Sequence, residues 1–326
     1  MSAISERSPA SSHSFGHRPN KFLRFNAEAT RMRSLAAALC LLALAPASAS
    51  ASQLIDRNAH GVHLIVNGRG QALVTYSARG GSHRVVASGA INARYPNPSI
   101  PQVQFRKDYS GRSWSSAGSQ CRRYDGPRLA YLVTGCAAPD GSYWAVQSWR
   151  RTLPNFDGAR SARLGAWELH LSHWTGATAL LEAWTDWVYD GRYHHLFGRL
   201  TYAGQPVYGF SASRVGSPND DYGRNIYVDT FDSRYGKGWR RENAFLAHKP
   251  TGIFCYGFYP FTKRGPGNGA RYRLNVVGPG VTPDVSVVVP GLHDYDGNNS
   301  ADVAYERQQN ALLDSIVGVD KKCKVH

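Results

Sequence analysis

The stretch from Trp167 to Val188, WELHLSHWTGATALLEAWTDWV, gathers tryptophan, histidine and carboxylates at short, regular spacing. Those residue types can hold a sugar, whose C–H faces stack on flat rings while carboxylates accept hydrogen bonds from its hydroxyls. Apolar and polar residues alternate here with the period of a strand, in which successive side chains point to opposite faces. A three-residue loop at Thr175-Gly176-Ala177 predicts a hairpin with His170 opposite Glu182 and Trp174 opposite Thr178. One face then carries Trp167, Leu169, Leu171, Leu181, Ala183 and Trp187, a core-like set. The other carries Glu168, His170, Trp174, Glu182, Trp184 and Asp186, the expected ligand-binding face. The competing reading is a half-exposed sheet face whose tryptophans pack across strands. A glycosidase needs two carboxylates roughly 5–9.5 Å apart. Glu182 and Asp186 on one strand would stand about 13 Å apart, so Glu168 and Glu182 on neighbouring strands are the closer pair.

A second polar stretch, DYDGNNSAD, places Asp294, Asp296, Asn298 and Asp302 at positions one, three, five and nine. Hard calcium takes such oxygen ligands. Over these nine residues alone the pattern resembles the D-x-D-G-N-x-x-x-D loops of FG-GAP-type repeats, a resemblance that implies a calcium site. It fails the EF-hand pattern, because Asn299 stands sixth and Tyr305 twelfth. The alternative needs no metal: Asn299 or Ser300 caps a helix, and Asp302 sits in its first turn, where the dipole favours a negative charge.

Other chemistry is weakly signalled. In HLSH the two histidines, His170 and His173, point to opposite faces of a strand, as do His194 and His195, so neither pair reads as a zinc site. GFSAS lacks the closing glycine of a nucleophile elbow. The segment NDDYGRNIYVDTFDSRYGKGW concentrates Asp220, Asp221, Asp229 and Asp232 with Arg224 and Arg234, and is the second-choice site.

The elements that position these groups are mostly strands. Runs such as HLIVNGRGQALVTYSARGGSHRVV, RNIYVDTF, RYRLNVVG and DVSVVV are rich in β-branched and aromatic residues between turn signals. One long segment, SADVAYERQQNALLDSIVG, reads as helix, with Tyr305, Leu312, Leu313 and Ile316 on one face and Gly318 at its end. The expectation is an all-β, antiparallel β-sandwich of jelly-roll-like form with one C-terminal helix. An internal boundary between two subdomains is expected near residues 152–165, where turn residues replace apolar ones.

Residues 32–51, MRSLAAALCLLALAPASASA, have the basic start, short apolar run and A-x-A steps of a secretory signal peptide. Residues 1–31 then read as an upstream extension, and 52–326 as the secreted or cell-envelope chain, with no transmembrane segment in it. The whole sequence carries a formal charge of +15. Arg7, Arg18, Lys21, Arg24, Arg31 and Arg33 against Glu6 and Glu28 lie before residue 53, which leaves about +11 on the mature part. Such a chain can meet a glycan or an anionic envelope polymer. Its basic residues come as scattered pairs with no nucleic-acid motif, so no specific nucleic acid is expected. Four cysteines remain after the leader, and the expected disulfides are Cys121–Cys136 and Cys255–Cys323. The function these features suggest is an exported, non-catalytic binding or envelope-associated protein for a glycan. A secreted polysaccharide hydrolase is the alternative. Beyond calcium at the loop, no cofactor is expected.

Overall fold

The computed structural model describes residues 52–95, 102–115, 118–151, 165–188, 191, 193–208, 224–233, 235–248, 250–258, 268–318 and 323. The expected leader, the upstream extension and residues 152–164 of the expected boundary lie outside them, as do Asp220, Asp221 and Arg234.

Strand β1 (Gln53–Arg57) precedes a meander of β2 (His60–Val66), β3 (Ala72–Ala78), β4 (Gly81–Ser88) and β5 (Arg106–Asp108). Then come β6 (Arg122–Arg123), β7 (Leu132–Ala137), β8 (Tyr143–Arg151), β9 (Ala166–Trp174), β10 (Leu180–Val188), β11 (Tyr193–Tyr202) and β12 (Gln205–Pro206). The rest is β13 (Ile226–Ser233), β14 (Gly236–Phe245), β15 (Ile253–Gly257), β16 (Arg271–Val276), β17 (Val285–Pro290) and helix α1 (Ser300–Val317). They form four antiparallel sheets: the meander β2-β3-β4-β5, a five-stranded sheet β1-β9-β8-β7-β6, a sheet of β10-β11-β12 with β15 on β11, and β14-β13-β16-β17. The all-β architecture with one C-terminal helix is as the sequence predicts. The jelly-roll order is not seen among the described strands. Each sheet is assembled mainly from strands near one another in sequence, whereas a jelly roll interleaves two Greek keys between two sheets.

Alternation sets which face packs where. Val66, Val74, Tyr76 and Val85 of the meander meet Trp144, Val146, Leu169 and Leu171 of the five-stranded sheet in one apolar layer. Leu196, Leu200 and Phe254 meet Ile226, Val228, Leu274 and Val276 in a second, between the β11 and β13 sheets. Phe197, Ile253, Leu313 and Val317 make a third, under the helix. Asn299 caps that helix by accepting from the Ala301 N–H at 3.0 Å, and Gly318 closes it at φ +49°. Both disulfides join the expected partners, with Cα atoms 5.3 Å apart for Cys121–Cys136 and 5.6 Å for Cys255–Cys323. No helix among the described residues is long and apolar enough to cross a membrane.

Strand β14 carries a bulge. Asp229 pairs with Arg241 and Val228 with Asn243, so Glu242 is the extra residue. It is buried, its Oε2 accepts from Thr230 Oγ1 at 3.2 Å, and its Oε1 has no hydrogen-bond partner among the described residues. Burial pushes its carboxyl up to about 7, against smaller opposing effects of Thr230 and Tyr256. The unfolded chain releases that proton near pH 4.5, so above it the folded state holds more protons and stability falls as pH rises, the full penalty being present above pH 7. Glu242→Gln is expected to flatten this slope and to gain about 3 kcal/mol over wild type at alkaline pH. Urea unfolding at several pH values reads it; an equal slope in the two proteins contradicts the buried neutral carboxyl.

Candidate functional site

The hairpin expected between Trp167 and Val188 does not form. Strand β9 pairs with β8 along its whole length and with β1 on its other edge, while β10 pairs residue by residue with β11. A strand has two edges, and β8 and β1 take both of those on β9. The alternation within each strand is as expected, but the six residues of the expected ligand-binding face are parted between two sheets. Glu168, His170 and Trp174 are buried at 4 %, 1 % and 0 % exposure. Trp174 packs on Tyr143 and Tyr124. On β10, Glu182 pairs with Arg199 of β11, Trp184 stacks on Phe197 under the helix, and Asp186 is buried against His195 Nδ1 at 2.7 Å. His170 is therefore not beside Glu182, and no open strip of Trp174 and Trp184 exists for a sugar to lie on.

Glu168 and His170 instead belong to a sealed polar layer between the five-stranded sheet and the loop before β17. Asp284 Oδ2 accepts from His170 Nδ1 at 2.6 Å and from Trp149 Nε1 at 2.6 Å, and Oδ1 accepts from Ser52 Oγ and from the Gly278 N–H. His170 Nε2 donates to Glu168 Oε2 at 3.3 Å, which also meets Arg151 Nη2 at 2.6 Å; Arg57 Nε holds Oε1 at 3.0 Å. Burial opposes charge on all three groups, and their mutual attraction outweighs it. The His170 pKa is raised, and the Asp284 and Glu168 carboxyls are lowered, Glu168 to about 2. Ser52, His170 and Asp284 are residue types of a hydrolytic triad in a different arrangement. Serine and aspartate both meet Nδ1, whereas a triad places the nucleophile on the other ring nitrogen, here on Glu168. All three are buried, so the cluster holds sheets together and presents no nucleophile.

The acidic loop at Asp294 follows the cap-and-turn alternative. Asp302 accepts from His293 Nε2 at 2.9 Å and from the Asp296 N–H at 3.0 Å, and Asp296 accepts from the Asn298 N–H at 2.9 Å. Asp294, Asp296 and Asp302 do not converge as three donors on one point; among the described residues the trio that does is His248, Cys255 and Cys323.

A different surface gathers charge and aromatic rings. On the β13 sheet the residues facing away from the β11 layer form cross-strand rows: Trp239, Phe231, Arg271 and Pro290; then Arg241, Asp229, Arg273 and Val288; then Ala244, Tyr227, Asn275 and Ser286. The third row is covered by Trp149 of the five-stranded sheet and by Tyr131, the residue before β7. The second is tied to Asp229, whose Oδ1 accepts from Arg241 Nε at 2.6 Å and whose Oδ2 accepts from Arg273 Nη2 at 2.9 Å and Asn275 Nδ2 at 3.0 Å. The first row is open. Arg271 is exposed, its guanidinium 4.3 Å from the Phe231 ring centre and 5.6 Å from that of Trp239, and it has no carboxylate partner among the described residues. Arg273 lies 4.3 Å from the Trp239 ring. Cation–π attraction holds both guanidiniums at the rings, and an arginine so held can still offer its N–H edges to an incoming anion.

Asp229 was in the second-choice segment of the sequence, but its partners come from β14 and β16. The signal that could have found them is alternation: RYRLN puts Arg271, Arg273 and Asn275 on one face, and YVDTF puts Tyr227, Asp229 and Phe231 on one face. No known protein family matches this chain, and no curated protein or solved structure shows significant similarity to it.

Two variants test this geometry. Asp229→Ala takes from Arg241, 2 % exposed at its side chain, the carboxylate it meets at 2.6 Å, and is expected to cost about 3–5 kcal/mol. Adding Arg241→Leu should recover part of that loss, and a double variant no more stable than the single contradicts the pairing. The raised His170 pKa means that its contribution is complete below the unfolded value of 6.5 and is lost as pH rises through the folded value. The stability gap between wild type and His170→Gln should therefore be wider at about pH 5 than at about pH 9, as followed by denaturant melts; a gap that widens with pH excludes a charged ring.

Proposed function

We propose that the chain is an exported, non-catalytic binding protein whose ligand is an acidic glycan of the cell envelope, held along the arginine–aromatic rows of the β13 sheet. The observation that carries this reading is Arg271: an exposed guanidinium held against Phe231 and Trp239 with no carboxylate partner among the described residues. A guanidinium presents paired N–H groups in the plane that matches a carboxylate or sulfate. A basic mature chain favours the same class of ligand through long-range attraction. The leader-like residues 32–51 support export, as do two cysteine pairs at bonding distance.

The hydrolase reading finds less support. Asp229, the carboxylate of the strip, has both oxygens engaged by Arg241, Arg273 and Asn275, so it is poorly placed to take or give a proton. The sealed layer likewise engages Glu168 and Asp284 with cations and donors.

Binding of a uronate-bearing polysaccharide, a neutral glucan and anionic phospholipid vesicles by the folded chain separates the sources of the anion. The acidic polysaccharide should bind, with affinity falling as salt rises, and the neutral glucan should not. Arg271→Ala and Trp239→Ala are each expected to weaken that binding by about 1–3 kcal/mol, by analogy with arginine and tryptophan anchors at interfaces. Thermal unfolding of Arg271→Ala should stay near wild type, since its side chain is exposed. Equal affinity for neutral and acidic polymers, or full affinity in Arg271→Ala, removes the reading, and a preference for vesicles assigns the strip to a membrane surface instead.

A further inference from the structure

The second disulfide has a histidine beside it. Cys255 lies in β15, which pairs with β11 through Cys255 opposite Phe197, and Cys323 is carried there by the chain beyond α1. His248 precedes β15 in a turn closed by two backbone bonds, from the His248 N–H to Ile253 O at 2.6 Å and from the Gly252 N–H to His248 O at 2.8 Å. Gly252 holds that turn at φ +70°, and any Cβ there would lie 2.6 Å from Leu200 O, so the turn and its histidine are fixed against β11. His248 Nδ1 lies 3.9 Å from Cys323 Sγ, and the three donor atoms of His248, Cys255 and Cys323 fall within 4.8 Å of one another. Among the described residues this is the one set of three histidine, cysteine or acidic donors that converges so.

We propose that these residues form a redox-gated site for a thiophilic cation of the zinc type. While Cys255 and Cys323 are bonded, neither sulfur carries the charge a cation needs, and the site is closed. A dithiol opens it. One of its thiolates attacks Cys255 Sγ, which is half-buried, whereas Cys323 is 1 % exposed. The disulfide breaks and Cys323 leaves as a thiolate next to His248. The second thiolate of the reagent then closes the reagent's own disulfide and releases Cys255, so two electrons pass to the protein and the dithiol is oxidised. The cation takes both thiolates and the neutral imidazole, and the two protons that the dithiol carried go to water. Two thiolates and one imidazole are a donor set for zinc, with the fourth tetrahedral position left for water or another ligand. Histidine beside the buried sulfur also favours departure of that sulfur as thiolate, because leaving-group stability speeds exchange.

Zinc chloride is the probe, applied to the full chain before and after reduction, with the reductant removed in the absence of oxygen. The oxidised chain should take up no zinc in calorimetry, and the reduced chain one zinc per molecule. Cobalt chloride in its place should give the absorption of a tetrahedral thiolate complex. His248→Ala should weaken zinc binding at least tenfold, by loss of a direct ligand. Bound zinc should protect Cys255 and Cys323 from alkylation while leaving Cys121 and Cys136 as reactive as without metal, as mapped by peptide mass. This mapping reads the site even where a cysteine variant fails to fold. No uptake by the reduced chain, whether it stays folded or not, overturns the proposal. So does full affinity in His248→Ala, or protection of Cys121 and Cys136 in place of the other pair.

Discussion

A carboxylate sealed between sheets is the constraint on which the rest of the structure depends. Asp284 is buried, and an isolated charge in that position would be prohibitive unless paired and hydrogen-bonded. The pairing draws on distant parts of the chain: Ser52 at the entry to β1, Trp149 on β8, His170 on β9 and the Gly278 N–H before β17. Gln147 adds two bonds to the backbone of the same residue, at 2.9 Å each. Apolar layers pull the sheets together without direction. The Asp284 cluster has direction, so it sets which residue of β9 faces which residue of the loop before β17.

The same physics, graded by depth, makes the surface strip. Asp229 anchors Arg241, whose side chain is 2 % exposed, and then Arg273, which is 23 % exposed. One row further out Arg271 also lies against rings but meets no acid among the described residues. The buried arginine is a structural partner, while the outer one keeps its donors for solvent or a ligand. Rings stacked against both outer guanidiniums reduce the side-chain freedom that binding an anion would otherwise remove.

What the sequence discloses here is local. Alternation places Leu169 and Leu171 against Glu168 and His170 on opposite faces of β9, and Leu181 against Glu182 on β10, and these faces are as expected. The C-terminal helix, its Asn299 cap and both cysteine pairs are legible for the same reason: each rests on near neighbours or on a small number of combinations. Pairing is not local. Thr175-Gly176-Ala177 permits a hairpin, but β8 and β11, the next strands on either side, and β1, more than a hundred residues away, take those edges, and nothing within Trp167 to Val188 records that competition. The expected ligand-binding face depends on pairing and comes apart with it, whereas the arginine–aromatic rows need only alternation within each strand and three strands brought side by side.

The bulge in β14 shows how one such row dictates chemistry elsewhere. Trp239 and Arg241 must share the outer face to meet Phe231 and Asp229, while Phe245 belongs to the apolar layer facing β11. All three positions are odd, and strict alternation would send Phe245 outward with the arginine. An extra residue between Arg241 and Asn243 shifts the parity and satisfies both demands. That residue is Glu242, which is turned into the interior beside Thr230 and holds its proton up to about pH 7. Its unusual acidity is then a consequence of placing Arg241 on Asp229 and needs no catalytic role. An acid in an apolar layer is commonly read as a sign of an active site, but here the register of the strand accounts for it.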